Sequence, residues 1–153
     1  VGGAWSAIEG ALDRATALLS IYMAGGAQRA YEMARDYSTT RIAFGVPIGT
    51  FQRVQDHIIV SLTEAEASKW TAYEALWRLD EGHADASVGI SMAKAVASDA
   101  YQQVCNFAHE VHAGLGSMTE YGLTLHTTAS RTLYDYLGDP KFHRRRLADA
   151  LGL

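Results

Sequence analysis

The segment YSTTRIAFGVPIGTFQRVQ, residues 37–55, joins two long stretches of helical periodicity and decides how the chain folds. Within it, FGVPIGT (residues 44–50) contains two glycines and a proline, which disfavour a helix interior and therefore end one helix before the next begins. Arg41, Phe44 and Gly45 lie at the mouth of this turn. The guanidinium group of an arginine suits a diphosphate, and the neighbouring phenylalanine offers an apolar wall. The segment is therefore either a plain helix cap and turn or a turn that also carries an anion-binding arginine.

Apolar residues recur at three-to-four-residue spacing on both sides of this turn, as in an amphipathic helix. The predicted helices run from about Trp5 to Ser38, from about Phe51 to Leu79, from about Ala86 to Ala113, from the end of a glycine-rich connection (residues 114–122) to about Tyr134, and from about Pro140 onward. Short turns between long helices favour antiparallel neighbours. We therefore predict an all-α fold, an up-down four-helix bundle with a short extra C-terminal helix.

The composition bounds the class of protein and its compartment. With 153 residues the chain is long enough for one domain with its own core, and its formal charge of −4 argues against nucleic acid as a partner. The sequence contains no run of about 18 apolar residues, so we predict no membrane span. Cys105 is the sole cysteine, so the chain cannot form an internal disulfide, and we predict a reducing compartment, the cytoplasm. Its position on an apolar helical face predicts a buried thiol.

Helical bundles can bind metal ions, but this sequence lacks the required spacing of ligands. A di-metal carboxylate site needs Glu-x-x-His on two helices, and no glutamate of the first three predicted helices has a histidine three residues later. HEVH (residues 109–112) places its histidines three residues apart, without the four-residue spacing of a zinc-binding helix. We therefore predict no metal site.

The turn extends into a longer pattern that is similar to a known family. Tyr37, Arg41, Phe44, Gly45, Ile48 and Gln52 match, in register, the helix-to-helix turn of the C-terminal domain of the acyl-CoA dehydrogenase family. EVHAGLGSMTEYGL (residues 110–123) resembles the glycine-rich segment of the same domain, with Ala113 in place of the first glycine of a pair. The resemblance covers nearly all of residues 1–153. It implies a fragment of a longer chain, with an N-terminal helical domain and a middle β domain upstream.

The resemblance also implies the chemistry. Members of this family are FAD flavoproteins that remove two hydrogens from an acyl-CoA thioester: a glutamate takes the α-proton, and the flavin accepts a hydride from the β-carbon. The electrons then pass to an electron-transfer flavoprotein, and the subunits form homo- or hetero-oligomers. The resemblance therefore implies FAD as the cofactor, an acyl-CoA as the substrate and an electron-transfer flavoprotein as a partner. We expect the isolated C-terminal domain to be inactive.

In the family, the turn of this bundle reaches the FAD of a neighbouring subunit. By this resemblance the cofactor-binding residues are Arg41 at the diphosphate, Phe44, Ile48 and Gln52 around the adenosine part, Gly114 where the backbone approaches the cofactor, and Glu110, which replaces a family glutamine. A carboxylate at this last position would place a second negative charge beside the diphosphate. That arrangement is unfavourable unless the carboxylate is bridged or protonated.

The usual catalytic base of the family has no counterpart in this chain. DYLGDPKFHRRR (residues 135–146) occupies the position of the family's Tyr-Glu-Gly-Thr segment and places Leu137 at the glutamate. Some members carry the base on the first helix of the domain instead, where this chain has Ala15. Asp135 and Asp13 each lie two residues before one of these positions, and either acts as a base only if the local geometry brings it within reach of the α-proton. We interpret the basic run that ends the segment as a solvated helix end.

Three functional hypotheses follow. In the first, the chain belongs to a degenerate subunit that pairs with a complete paralogue, lends Arg41 and Phe44 to the partner's FAD site, and acts on a bulky acyl-CoA such as a steroid side chain. In the second, it belongs to a self-sufficient dehydrogenase with a relocated base such as Asp135. In the third, it is a non-enzymatic interaction module. The retained arginine and phenylalanine disfavour the third hypothesis, and the missing base side chains disfavour the second.

Overall fold

A computed structural model describes residues 2–153; Val1, the first residue of the predicted domain, lies outside the described residues. The helices are α1 (Gly2–Thr40), α2 (Gln52–Asp80), α3 (Ala86–His112), α4 (Leu123–Asp135) and α5 (Pro140–Leu151). Between α1 and α2 lie two short strands, β1 (Ile42–Ala43) and β2 (Val46–Pro47), and 3-10 turns cover Ile48–Thr50, Ala113–Ser117 and Thr119–Tyr121. The predicted all-α helical bundle is confirmed, and the predicted helix boundaries lie within a few residues of the observed ones.

Helix α3 is the central element of the bundle, because it packs against each of the other four helices. Its inward face consists largely of small side chains, such as the fully buried Ala93, Ala97 and Ala108. Small side chains at a helix contact shorten the distance between the helix axes. One contact with α1 requires a glycine, because a Cβ atom at Gly26 would lie 2.4 Å from the ring of Tyr101.

The connection between α1 and α2 is a tight hairpin that the helical periodicity did not predict. Ala43 pairs with Val46, so Phe44 and Gly45 form a two-residue loop. Both loop residues have positive φ, at 53° and 84°, as a type I′ turn requires. The chain therefore reverses within two residues, and Phe44 lies at the tip of the hairpin.

The connection between α4 and α5 also depends on left-handed backbone conformations. Leu137 and Gly138 have φ of 60° and 104°. Asp139 then caps α5, because its Oδ1 accepts a hydrogen bond from the backbone N–H of Phe142 at 2.6 Å. Pro140 occupies the first turn of α5, where a missing N–H costs nothing. The two left-handed residues therefore end the path of α4, and the cap by Asp139 begins α5.

The basic run of α5 is only in part the solvated helix end that the sequence predicted. His143 is buried, with 1% of its surface exposed. Arg146 forms a bidentate ion pair with Asp13 of α1, at N–O distances of 2.7 and 3.1 Å, and Arg144 pairs with Asp99 of α3. The prediction was wrong for His143 and Arg146, because that side of α5 packs against helices whose contacting residues are distant in the sequence. Arg144 and Arg145 are exposed, as predicted.

Cys105 is fully buried on α3, as the sequence predicted. Burial raises the pKa of its thiol to about 12, so the thiol stays protonated at neutral pH and is a poor nucleophile. None of the helices within residues 2–153 combines the length and the apolar character needed to cross a bilayer.

Candidate functional site

A cleft of about 350 Å³ lies between the end of α1, the turn after β2 and the end of α3. Its lining residues are Tyr37, Arg41, Ile48, Val111, His112, Ala113, Gly114 and Leu115. The fold therefore brings together Arg41, Ile48 and Gly114 of the predicted cofactor-binding set, although the last of these is far from the other two in the sequence.

A buried histidine and two tyrosines support this cleft. His112 is 2% exposed; its Nδ1–H donates to the carbonyl of Ala108 at 2.6 Å, and its Nε2 accepts from the hydroxyl of Tyr121 at 2.8 Å. The ring of Tyr37 stacks on the imidazole at a centroid distance of 4.5 Å. Burial lowers the pKa of His112, so the imidazole is neutral with both nitrogens satisfied. The spacing of HEVH pointed to His112 only as a possible metal ligand, and nothing in the sequence indicated this supporting role, although Tyr37 belongs to the family-like pattern.

Arg41 is fixed through its backbone, while its side chain has no ion pair within residues 2–153. Its N–H donates to the carbonyl of Tyr37 at 2.9 Å, and its own carbonyl accepts from the N–H of Ile48 at 2.9 Å. The residue is exposed, and its guanidinium forms no ion pair with any residue in the described part of the chain. A positioned cation without an acidic partner can bind an anion without first giving up an internal contact.

Phe44 and Gln52 lie outside the lining of this cleft. Phe44 is 97% exposed at the tip of the hairpin, and its only aromatic neighbour within residues 2–153 is Phe51, edge-on at a centroid distance of 6.1 Å. Gln52 is exposed at the first position of α2. Both side chains are therefore available for contacts outside the chain, and neither contributes to the core.

Gly114 presents bare backbone to open space. A Cβ atom at this position would meet no heavy atom of the described chain within 4 Å, and the residue does not have a positive φ. Neither packing nor backbone conformation within residues 2–153 therefore requires glycine at this position. The open approach is what a ligand that contacts the backbone would need.

Glu110 lines a different, larger groove of about 690 Å³, together with residues such as Asn106, His109 and Arg131. Its Oε2 lies 2.9 Å from Nε2 of the buried His57. The carboxylate is thus bridged, which is one of the two conditions under which a negative charge near a diphosphate is acceptable. Within residues 2–153, no group of three or more histidine, cysteine, aspartate or glutamate side chains is arranged to hold a metal ion.

The positions of the expected base hold no carboxylate. Leu137 is half-buried in its left-handed conformation, and Ala15 is exposed on α1. Asp13 is engaged in the bidentate pair with Arg146 and is therefore not free to accept a proton. Asp135 is exposed at the end of α4, and its carboxylate has no hydrogen bond or ion pair with another described residue.

The fold and the cleft define an all-α bundle domain that presents an arginine with no ion pair among the described residues, an exposed aromatic ring and open glycine backbone. Comparison with known proteins then identifies its family. The family model described as "Acyl-CoA dehydrogenase, C-terminal domain" matches residues 2–152. The chain therefore belongs to the acyl-CoA dehydrogenase family, whose members are FAD-dependent oxidoreductases, and it corresponds to their C-terminal domain.

Individual relatives agree with this assignment. The chain is 33% identical over 130 residues to a glutaryl-CoA dehydrogenase of Desulfococcus multivorans, a match that covers 84% of this chain and 33% of the relative. The solved structure "PigA with FAD and proline" superposes with a TM-score of 0.88 at 30% identity, over 93% of this chain and 37% of PigA. A variant of the steroid ACAD "Tcur3481-Tcur3483" superposes with a TM-score of 0.86 at 26% identity, over 92% of this chain and 39% of that one. The chain thus spans about a third of the length of the curated relatives it matches.

Proposed function

We propose that this chain is the C-terminal bundle of an acyl-CoA dehydrogenase subunit that lacks the usual base and completes the FAD site of a partner subunit. The remaining domains of the enzyme, upstream of this bundle, and the partner supply the rest of the pocket, so the isolated bundle is inactive. When bound, FAD supplies the acceptor for the hydride that leaves the β-carbon of the acyl-CoA. The residues of this chain bind and orient that cofactor.

Arg41 supports the cofactor-binding part of the proposal. Its guanidinium is always charged and matches two phosphate oxygens at once, so its binding to a diphosphate does not depend on pH. The two backbone hydrogen bonds of Arg41 hold it at the mouth of the cleft beside Gly114 and Ile48. A scaffold without a ligand gains nothing from a fixed, unpaired cation at this place.

The conformation of Phe44 is the observation that carries the proposal. A bulky residue in the left-handed region costs about 1–2 kcal/mol. The ring of Phe44 is 97% exposed, and its aromatic contact within residues 2–153 is the edge-on one with Phe51, so packing inside the described chain offsets that cost only in part. Contact of the Phe44 ring with a ligand or another subunit would offset the cost of its left-handed conformation. The adenosine part of an FAD bound in the neighbouring subunit is a suitable surface, because an adenine ring stacks on aromatic side chains.

The missing base supports the partner-dependent part of the proposal. Removal of the α-proton requires a group within hydrogen-bond reach, and neither Leu137 nor Ala15 can accept a proton. Asp13 is held by Arg146. A partner subunit with its own base would therefore perform the chemistry, with an electron-transfer flavoprotein as the electron acceptor, in the cytoplasm. The similarity to the steroid ACAD favours a bulky acyl-CoA as the substrate.

A self-sufficient dehydrogenase is the second candidate, and one observation favours it. Asp135 lies two residues before Leu137, and its exposed carboxylate has no partner within residues 2–153. An unpaired carboxylate at the start of this connection is available as a base if the substrate reaches it. Of the two aspartates considered, Asp13 is paired with Arg146, whereas Asp135 has no ion pair in the described part of the chain.

The experiment that separates these candidates expresses the complete gene with and without a dehydrogenase-like neighbouring gene. Flavin content per chain is measured together with dye reduction driven by octanoyl-CoA and by choloyl-CoA, a steroid acyl-CoA. We expect flavin and activity only on co-expression, at one FAD for two chains. One FAD per chain with activity from this gene alone would contradict the proposal and make Asp135→Asn the next variant.

A matched pair of variants tests the role of Arg41 in the same preparation. Arg41→Gln removes the cation from the cleft, and we expect the co-expressed complex to lose most of its flavin. Arg145→Gln is the control, because Arg145 is exposed on α5 and has no ion pair within residues 2–153. Equal flavin retention in the two variants would show that Arg41 does not bind the cofactor.

A further inference from the structure

A lysine is buried in the middle of α3 and holds the end of another helix. Lys94 is fully buried, and its Nζ donates to Ser98 Oγ at 2.8 Å, to the carbonyls of Tyr134 and Gly138 at 3.0 Å each, and to the carbonyl of Leu133 at 3.3 Å. An ammonium group has three N–H donors, so its donors are fully used. Two of these acceptors are among the last carbonyls of α4, which have no partner within their own helix. The lysine therefore caps α4 from inside the core.

The surroundings of Lys94 are consistent with a charged side chain at neutral pH. Burial lowers the pKa of Lys94 to about 8, while the carboxylates of Asp135, Asp139 and Asp99 act in the opposite direction. A neutral amine would present a lone pair to this ring of oxygen acceptors, whereas an ammonium group satisfies them. The geometry therefore favours the protonated form, which a pKa of about 8 also allows at pH 7.

A buried histidine from α5 holds the residue next to Gly138. The Nε2–H of His143 donates to the carbonyl of Leu137 at 3.0 Å. Gly138 lies directly against this ring, because a Cβ atom at Gly138 would be 2.9 Å from His143 Nε2 and 2.6 Å from Phe142 Cδ1. The peptide between residues 137 and 138 thus packs against the His143 ring, and Leu137 has a left-handed backbone conformation that leucine rarely adopts.

Two consecutive carbonyls, those of residues 137 and 138, therefore accept hydrogen bonds from two buried side chains on different helices. We propose that Lys94 and His143 act as positioning residues that clamp residues 137–138 and set where the side chain at position 137 projects into the acyl-CoA site. This inference rests on the proposed function, because position 137 is where the family resemblance places the base. In this chain the clamp is present although the residue it holds is leucine. A carboxylate introduced at position 137 would therefore be presented to the α-proton.

Leu137→Glu in the co-expressed, flavin-loaded complex tests this clamp. The measured quantity is the rate of deuterium uptake at the α-carbon of octanoyl-CoA and of choloyl-CoA in D₂O. The introduced carboxylate takes the α-proton, exchanges it with solvent and returns a deuteron to the same carbon. This exchange involves no net oxidation of the acyl-CoA. We expect Leu137→Glu to raise the uptake rate above that of the parent. Lys94→Met or His143→Leu in the Leu137→Glu background should lower the uptake gained over the parent by about 10²-fold, the effect of misplacing a reacting group by about 1 Å.

Conservative and control variants separate positioning from general stability. His143→Gln keeps an N–H donor for the Leu137 carbonyl and should retain most of the uptake, whereas His143→Leu should not. Lys141→Met, an exposed lysine of α5, should have no effect. The comparison of His143→Gln with His143→Leu stands even if Lys94→Met fails to fold. Equal uptake rates in these two variants, or no rise in uptake over the parent complex on introducing Leu137→Glu, would overturn the positioning role.

Amide hydrogen exchange across residues 135–139 tests the clamp without any cofactor. Lys94→Met and His143→Leu should accelerate exchange in this segment, and Lys141→Met should leave it unchanged. Unchanged exchange in the first two variants would overturn the clamp. Absence of flavin from the parent complex would instead overturn the proposed function, and the amide exchange would still decide whether the clamp exists.

Discussion

Ala113 marks the end of α3 and has a backbone conformation that suits glycine. Its φ of 50° and ψ of −134° lie outside the regions that residues with a Cβ atom readily adopt. Glycine populates positive φ about as easily as negative φ. We therefore expect Ala113→Gly to raise the free energy of unfolding, although glycine usually destabilises a protein.

The magnitude follows from two opposing effects. A residue held in a sparsely populated backbone region costs about 1–3 kcal/mol, and the substitution removes that cost. Glycine also gives the unfolded chain more freedom, which lowers stability by about 0.4–1 kcal/mol. Ala113 is exposed, so removal of its methyl group sacrifices little buried surface. The net gain is about 1 kcal/mol, or an increase in Tm of about 2–4 °C for a chain of this length.

Urea denaturation followed by far-ultraviolet circular dichroism measures this gain, with a shared m-value for parent and variants. Ala67→Gly is the matched control, because Ala67 is exposed in the interior of α2. The same chemical change should lower stability there by about 1 kcal/mol, since glycine is a poor helix former. If Ala113→Gly is destabilised as much as Ala67→Gly, the reasoning from backbone strain is refuted.

Two further predictions concern the hairpin and the buried histidines. Phe44→Asn should raise the free energy of unfolding by about 1 kcal/mol, because asparagine tolerates the left-handed conformation. The same substitution should weaken flavin retention in the complex, which flavin absorbance measures. Thermal melts measure the stability, and a lower Tm would contradict the expected gain. Burial lowers the pKa of both His112 and His143 below the ordinary value of 6.5, so the unfolded chain takes up protons first as the pH falls. The free energy of unfolding should therefore decrease as the pH falls below about 6.5, and it should decrease less steeply in His143→Gln. Urea titrations between pH 7 and 5 measure this dependence. A free energy of unfolding that does not change with pH would be inconsistent with neutral buried histidines.

The helices could be predicted because their signal is local. Apolar residues spaced by three or four lie on one face of a helix wherever the helix packs, and the glycines and proline of residues 44–50 end a helix whatever surrounds them. The hairpin at Phe44 was not predicted, because Phe-Gly is not among the sequences that favour a type I′ turn. The structure pairs Ala43 with Val46 across this loop, and helical periodicity carries no signal for such a pairing.

The candidate site could be predicted only in part. The family resemblance named Arg41, Ile48 and Gly114, and the fold places all three on one cleft. It did not reveal that Glu110 is bridged by His57, because these residues lie on different helices and no local spacing connects them. The roles of the cofactor-binding residues remain predictions until flavin binding is measured.

The amino-acid sequence by itself determined the positions of the helices, the arginine and phenylalanine of the turn, and the leucine where a base was expected. These are properties of single residues and of neighbours within one or two helical turns. Only the tertiary structure decided that Lys94 and His143 meet at residues 137–138 and that Arg146 holds Asp13. The physical reason is that a buried polar group must find its partners on whichever helices pack against it, and that packing is set by the whole core.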